Sequence, residues 1–156
     1  MQRSKVLLLA SALSFFSALY PYATLAVIVL SAFSSRAFNP FTKDSIYSPG
    51  FRRNTSLALL ILSILEGVTG FGSGPSTSTV ISNLTFGILT RGLSLELHLA
   101  LVIPLGLLFT LHTVSGFGSL LVSRGVKNQV IYSYVIPITW ILLYLAMLYL
   151  DLEYFL

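Results

Sequence analysis

Residues 93–122 read LSLELHLALVIPLGLLFTLHTVSGFGSLLV, and this stretch decides the fold. It holds one carboxylate, Glu96, two histidines, and no lysine or arginine. A bilayer core of about 30 Å is crossed by roughly 20 mostly apolar helical residues. The stretch therefore predicts a transmembrane helix over about 93–121. Pro104 and Gly106 lie inside it, and membrane helices tolerate both.

Working outward, three more apolar runs predict spans over about 6–32, 56–71 and 130–150. The first follows Arg3 and Lys5 and has the outline of a signal peptide. Its apolar run is too long for a signal core, and Ala32-Phe33-Ser34 is a poor cleavage site, so a retained helix kinked at Pro21 is expected. The second is interrupted by Glu66 and runs into Gly70, Gly72, Gly74 and Pro75, which read as a loop with a short interfacial piece over about 84–89. The last holds Pro137, Trp140 and several tyrosines and stops at Asp151 and Glu153; Trp and Tyr near span ends fit an interfacial belt. The expected fold class is all-α, an integral membrane bundle of four transmembrane helices forming one membrane domain over 1–156.

Composition agrees. The 156 residues are 55% hydrophobic and 9% charged, with a mean hydropathy of +0.88, where a soluble domain carries about a quarter charged residues. The absence of cysteine removes disulfides, thiolate metal sites, iron–sulfur clusters and covalently attached haem. The net charge of +4 comes from Lys and Arg lying between apolar runs, which makes them topology signals and argues against a nucleic-acid partner. With four spans, one side holds Arg36, Lys43, Arg52, Arg53, Arg124 and Lys127, and the other Arg3, Lys5 and Arg91. That bias predicts a multi-pass protein of the cell membrane with both termini outside. Asn83-Leu84-Thr85, a glycosylation-type triplet, would then face outward.

His98 and His112 are the only histidines, fourteen residues apart in the third run. At about 1.5 Å per residue the rise is about 21 Å, and at 3.6 residues per turn the two return to within about 40° of one face. One helix thus offers an imidazole near each membrane surface. Two b-type haems stacked across the bilayer need this geometry, with bis-His ligation suited to electron transfer. Gly116, one turn beyond His112, and Thr113 would let a porphyrin approach. The alternative is that each histidine only hydrogen-bonds a neighbouring helix or handles protons, since polar residues in spans usually face the bundle interior.

The pieces Glu66-Gly67-Val68-Thr69-Gly70-Phe71, Leu97-His98-Leu99 and Leu111-His112-Thr113-Val114-Ser115-Gly116 resemble the core of small four-helix membrane cytochromes b, a prokaryotic cytochrome b-like family. The resemblance covers a little over a third of the chain and rests mainly on the fourteen-residue interval. It implies that His98 and His112 are axial ligands of haem iron and that electrons pass between the quinone pool and a partner enzyme. The family draws opposing ligands from a second helix of the same chain. Here the other runs hold no histidine and Met147 is the only methionine in a span. The resemblance then requires a homodimer mate or a larger membrane redox subunit to complete each haem.

Glu66 lies about ten residues into the second run. It reads either as a proton carrier beside a quinone site or as a carboxyl near the interface. Arg91 and Glu96 precede His98, and Arg91 could pair a haem propionate or simply anchor the helix. The Gly70–Gly74 series lacks the lysine of a phosphate loop, and no Ser/His/acid or metalloprotease set is present. The expected function is a b-type cytochrome subunit of a respiratory complex. The alternatives are a cofactor-free structural or assembly subunit, and a small proton-coupled transporter.

Overall fold

The computed structural model describes residues 3–17 and 20–155, with Pro21 and residues 151–155 as backbone only. It is all-helical among those residues. The order is α1 (Arg3–Leu13), α2 (Pro21–Phe33), α3 (Pro49–Ser73), α4 (Ser78–Leu84), α5 (Arg91–Ser123) and α6 (Ile136–Phe155). Among the described residues three segments are long and apolar enough to cross a membrane: Pro49–Ser73, Arg91–Ser123 and Ile131–Leu150.

The first apolar run departs from the single span expected over 6–32. It forms two short helices that lie side by side, α1 of 11 residues and α2 of 13. At about 1.5 Å per residue these measure about 16 and 20 Å, short of a bilayer core. The break has a local cause. A residue before proline is driven out of the helical region by the pyrrolidine ring, and Tyr20 is extended, with φ −135° and ψ 106°. Pro21 then starts α2, where its missing N–H costs nothing. Arg3 at the start of α1 and Arg36 just past α2 line one surface hollow with Lys43. The chain thus goes up and returns, and the expectation that Arg3 and Lys5 lie at the end opposite Arg36 and Lys43 is not met. Asp151 and Glu153, which bear on the same question, have side chains outside the described residues.

α3 begins earlier than residue 56, because the Ser48 hydroxyl accepts from Phe51 N (3.3 Å) and Pro49 occupies the first turn. It also continues through Gly70 and Gly72 to Ser73, where a loop was expected. The short outer helix is α4 at Ser78–Leu84, rather than a piece over 84–89. After it the chain turns sharply, with Phe86 at φ 54° and Gly87 at φ 81°. α5 is capped by Thr90, whose hydroxyl accepts from Leu93 N, and two residues past its last turn the chain reverses at Gly125, φ 80°. At 33 residues it is about 50 Å long, the axis on which α1, α3 and α6 pack. A π turn over Ile131–Val135 leads into α6, and Pro137 follows it. Such local adjustments re-satisfy backbone groups that a proline frees in a membrane helix.

The core lies where the hairpin, α5 and α6 meet. Leu7, Val27, Ile103, Leu107, Leu111 and Trp140 are fully buried there, and the Trp140 indole donates to Leu107 O (3.3 Å). Outward faces of α3 and α6 present Leu57, Leu60, Ile64, Leu142 and Tyr149 to the surroundings. A protein whose helices are apolar on the outside as well as within is solvated by lipid tails.

A polar seam between the two longest helices

The two histidines share one face of α5, as their spacing predicts, and that face is covered by α3. Antiparallel packing sets the pairs: Thr55 opposite His112, Glu66 and Gly70 opposite His98, Gly72 opposite Ser94. Near one end of the seam, His98 Nδ1 lies 3.2 Å from the backbone oxygen of Glu66 and 3.2 Å from its carboxylate Oε1. Near the other, His112 Nδ1 lies 2.8 Å from the Thr55 hydroxyl.

These contacts fix the proton on each ring. A backbone carbonyl only accepts, so His98 Nδ1 must carry a hydrogen and donate it. Thr55 sits 2.9 Å from Arg52 O and 3.2 Å from Phe51 O, the usual receivers of a helical threonine's hydrogen. Its oxygen is then free to accept from His112 Nδ1. Both imidazoles are held by α3 in the same tautomer, with Nε2 as the basic atom. Among the described residues neither Nε2 takes part in a hydrogen bond.

Glu66 points into the seam with 15% of its side chain exposed, against 32% for His98. Its second oxygen, Oε2, is buried and without a partner, and so is the Ser94 hydroxyl resting on Gly72. A carboxylate oxygen in that position costs several kcal/mol unless it is protonated or meets a ligand. An imidazole beside it offers one proton to share. Between the two polar ends the interface is apolar, with Ala58 and Leu62 of α3 near Pro104 and Leu108 of α5.

The remaining candidates are dispersed. Arg91 Nε donates to Ser73 O (3.1 Å), tying the start of α5 to the end of α3, which is an anchoring role. Glu96 and Thr113 are exposed. An added Cβ at Gly116 would meet no atom within 4 Å, so no close approach explains that glycine inside the chain. Close approaches occur at Gly70, Gly72, Gly106 and Gly118 instead, against His98, Ser94, Met147 and Tyr47.

The His98 ring lies on Gly70, whose missing side chain admits it: an added Cβ would come within 3.1 Å of Cε1. Among the described residues no three His, Asp or Glu side chains cluster as a metal site. Thr55 and the packing glycines are functional neighbours the sequence reading missed. The signal was there in Gly70 and Gly72, since small residues mark close helix contacts in membranes. No protein-family model, no curated protein and no solved structure matches this chain.

Proposed function

We propose that the protein is a small proton-coupled membrane transporter whose proton site is the Glu66–His98 pair. The observation that carries this reading is a half-buried carboxyl with one oxygen on His98 Nδ1 and the other buried and unpartnered, inside a helix long enough to span a bilayer. With Nδ1–H already donated across the 3.2 Å contact, one further proton, on the carboxyl or on His98 Nε2, makes the site a neutral pair or an ion pair of zero net charge. Gain of a second proton charges the site and loss of the first leaves a bare carboxylate. Each step changes what the α3–α5 contact can tolerate. In the hairpin arrangement Arg3 and Lys5 join Arg36, Lys43, Arg52, Arg53, Arg124 and Lys127 on one side of the membrane, with Arg91 on the other. This orients that side to the cytoplasm of a cell-membrane protein and the end of α6 outward.

Infrared difference spectra of the protein in vesicles, taken across a pH jump, test the site. A carboxylic-acid band should titrate, vanish in Glu66→Gln and move in His98→Gln. A spectrum without any titrating carboxyl overturns the assignment. Transport itself predicts pH-gradient-dependent uptake into vesicles that Glu66→Gln abolishes.

A second reading keeps the b-type cytochrome subunit, with two haems b and an adjoining quinone. One observation favours it: Nδ1 of both histidines is engaged, the arrangement that commonly orients a ligating imidazole and leaves Nε2 for the metal. It requires a homodimer mate or larger redox subunit to supply the opposing ligands. Protein purified from haem-replete cells would show a reduced-minus-oxidised b-type spectrum that declines when His98 or His112 is replaced. A colourless preparation with its partner retained excludes this reading and leaves the proton site or a cofactor-free assembly subunit.

A further inference from the structure

The re-entrant hairpin holds α1 away from α3, and the two helices wall a groove whose floor is α5. Leu8 and Phe15 form one wall, Ala58 and Leu62 the other, with Pro104 and Leu108 beneath. The cavity is about 400 Å³ and almost wholly apolar, within the roughly 300–1,000 Å³ of ligand pockets. Leu8 also borders the adjoining polar hollow at its end, the mouth, of about 190 Å³, which is lined by Lys5, Lys43, Asp44, Ser48 and Asn54. Arg3 and Arg36 stand around the neighbouring hollow with Lys43 and Asp44. Four cations thus surround the mouth with a single acid, Asp44, facing them.

The gradient along this groove matches one kind of molecule. An apolar trough at bilayer depth takes a hydrocarbon chain, and a basic polar mouth at the end where the positive residues gather takes an anionic headgroup. Lipid tails pack against any membrane helix, but a flat helix face offers neither walls nor a floor, and this groove has both. We infer that the groove binds one acyl chain of an anionic phospholipid, with the phosphate held at Lys5 and Lys43. Anionic headgroups are drawn to juxtamembrane cations, and Asp44 excludes a second negative group close beside the phosphate. The groove lies beside the α3–α5 seam between its two polar ends; none of Thr55, His112, Glu66 or His98 lines it, and it does not depend on the proton-site reading.

The test uses the full chain in nanodiscs of phosphatidylglycerol or phosphatidylcholine, then released into detergent and weighed by native mass spectrometry. One phosphatidylglycerol should remain per chain, with about tenfold or greater preference over phosphatidylcholine, estimated from two lysines at an anionic headgroup. A double Lys5→Gln, Lys43→Gln variant should erase the preference and leave the helical signal unchanged. Ala58→Trp, which fills the groove, should remove retained lipid of either kind. Ala12→Trp does the same from the α1 wall, which guards against misfolding of one variant. Equal retention of both lipids by the unaltered protein overturns the inference, as does retention that survives both tryptophans. So does phosphate alone displacing nothing while lipid-free protein binds inorganic phosphate at the lysines.

Discussion

Nδ1 of His112 and the hydroxyl of Thr55 lie 2.8 Å apart across the α3–α5 interface, 57 positions from each other in sequence. Both sit on the face where the two longest helices touch, so the bond is a clamp between helices. In lipid such a bond does not compete with water, yet the unfolded chain in the membrane also finds partners. Its worth is therefore about 0.6–1.7 kcal/mol. Thr55→Val and His112→Leu should each lower stability by about that amount, and the double variant should cost hardly more than either. Unfolding in mixed micelles of denaturing and mild detergent measures the coupling; strict additivity of the two losses would disprove the clamp.

The glycines of α5 make a sharper comparison, because two of them, two residues apart, have opposite surroundings. A Cβ on Gly118 would collide with the Tyr47 ring, and one on Gly116 would meet nothing within 4 Å. Gly118→Ala should destabilise by about 1–3 kcal/mol through overpacking. Gly116→Ala should be neutral or stabilise by up to about 1 kcal/mol, the helix-propensity gain of alanine over glycine. The same unfolding measurement applies, and equal effects at the two sites would contradict the packing described.

The hairpin predicts which residues share a side of the membrane. The chain has no cysteine, so single cysteines report without background. Lys5→Cys, Lys43→Cys and Lys127→Cys should all react with a membrane-impermeant thiol reagent from one side, and Phe86→Cys only from the other. Labelling of Lys5→Cys together with Phe86→Cys would instead restore a full first span.

Much of this architecture was legible in the residues. The spans of α5 and the segment ending at Leu150 follow from apolar length alone, and the shared face of His98 and His112 from helical period. What failed was local. Pro21 read as a kink in a long run, but its effect on Tyr20 broke the run into two helices too short to cross. Gly70 and Gly72 read as a flexible exit because three glycines in five residues look like a loop. In lipid the same residues stay helical, since an unwound segment would leave backbone groups without partners, and their missing side chains admit His98 and Ser94. The partner of each histidine was not legible at all. Thr55 and Glu66 are chosen by the antiparallel register of α3 on α5, which no local pattern in either helix announces.

Tyr47 gives a prediction with a pH sign. It lies in the segment before α3, 6% exposed, with its ring 5.4 Å from that of Tyr132 and its hydroxyl buried without a hydrogen-bond partner. Burial pushes its phenol above the ordinary value near 10, and the neighbouring Tyr132 adds in the same direction. The folded protein therefore holds this proton more tightly than the unfolded chain does. Stability from the neutral phenol is complete below about pH 10 and declines as pH rises towards the folded value. Tyr47→Phe removes both the orphaned hydroxyl and the titration. It should raise stability at neutral pH by about 1 kcal/mol, the low end of the cost of an unsatisfied buried group. It should also flatten the alkaline loss above pH 10. Thermal unfolding in detergent followed by circular dichroism at pH 7 and pH 11 measures both. A variant less stable than the parent at pH 7 would mean that the hydroxyl has a partner after all.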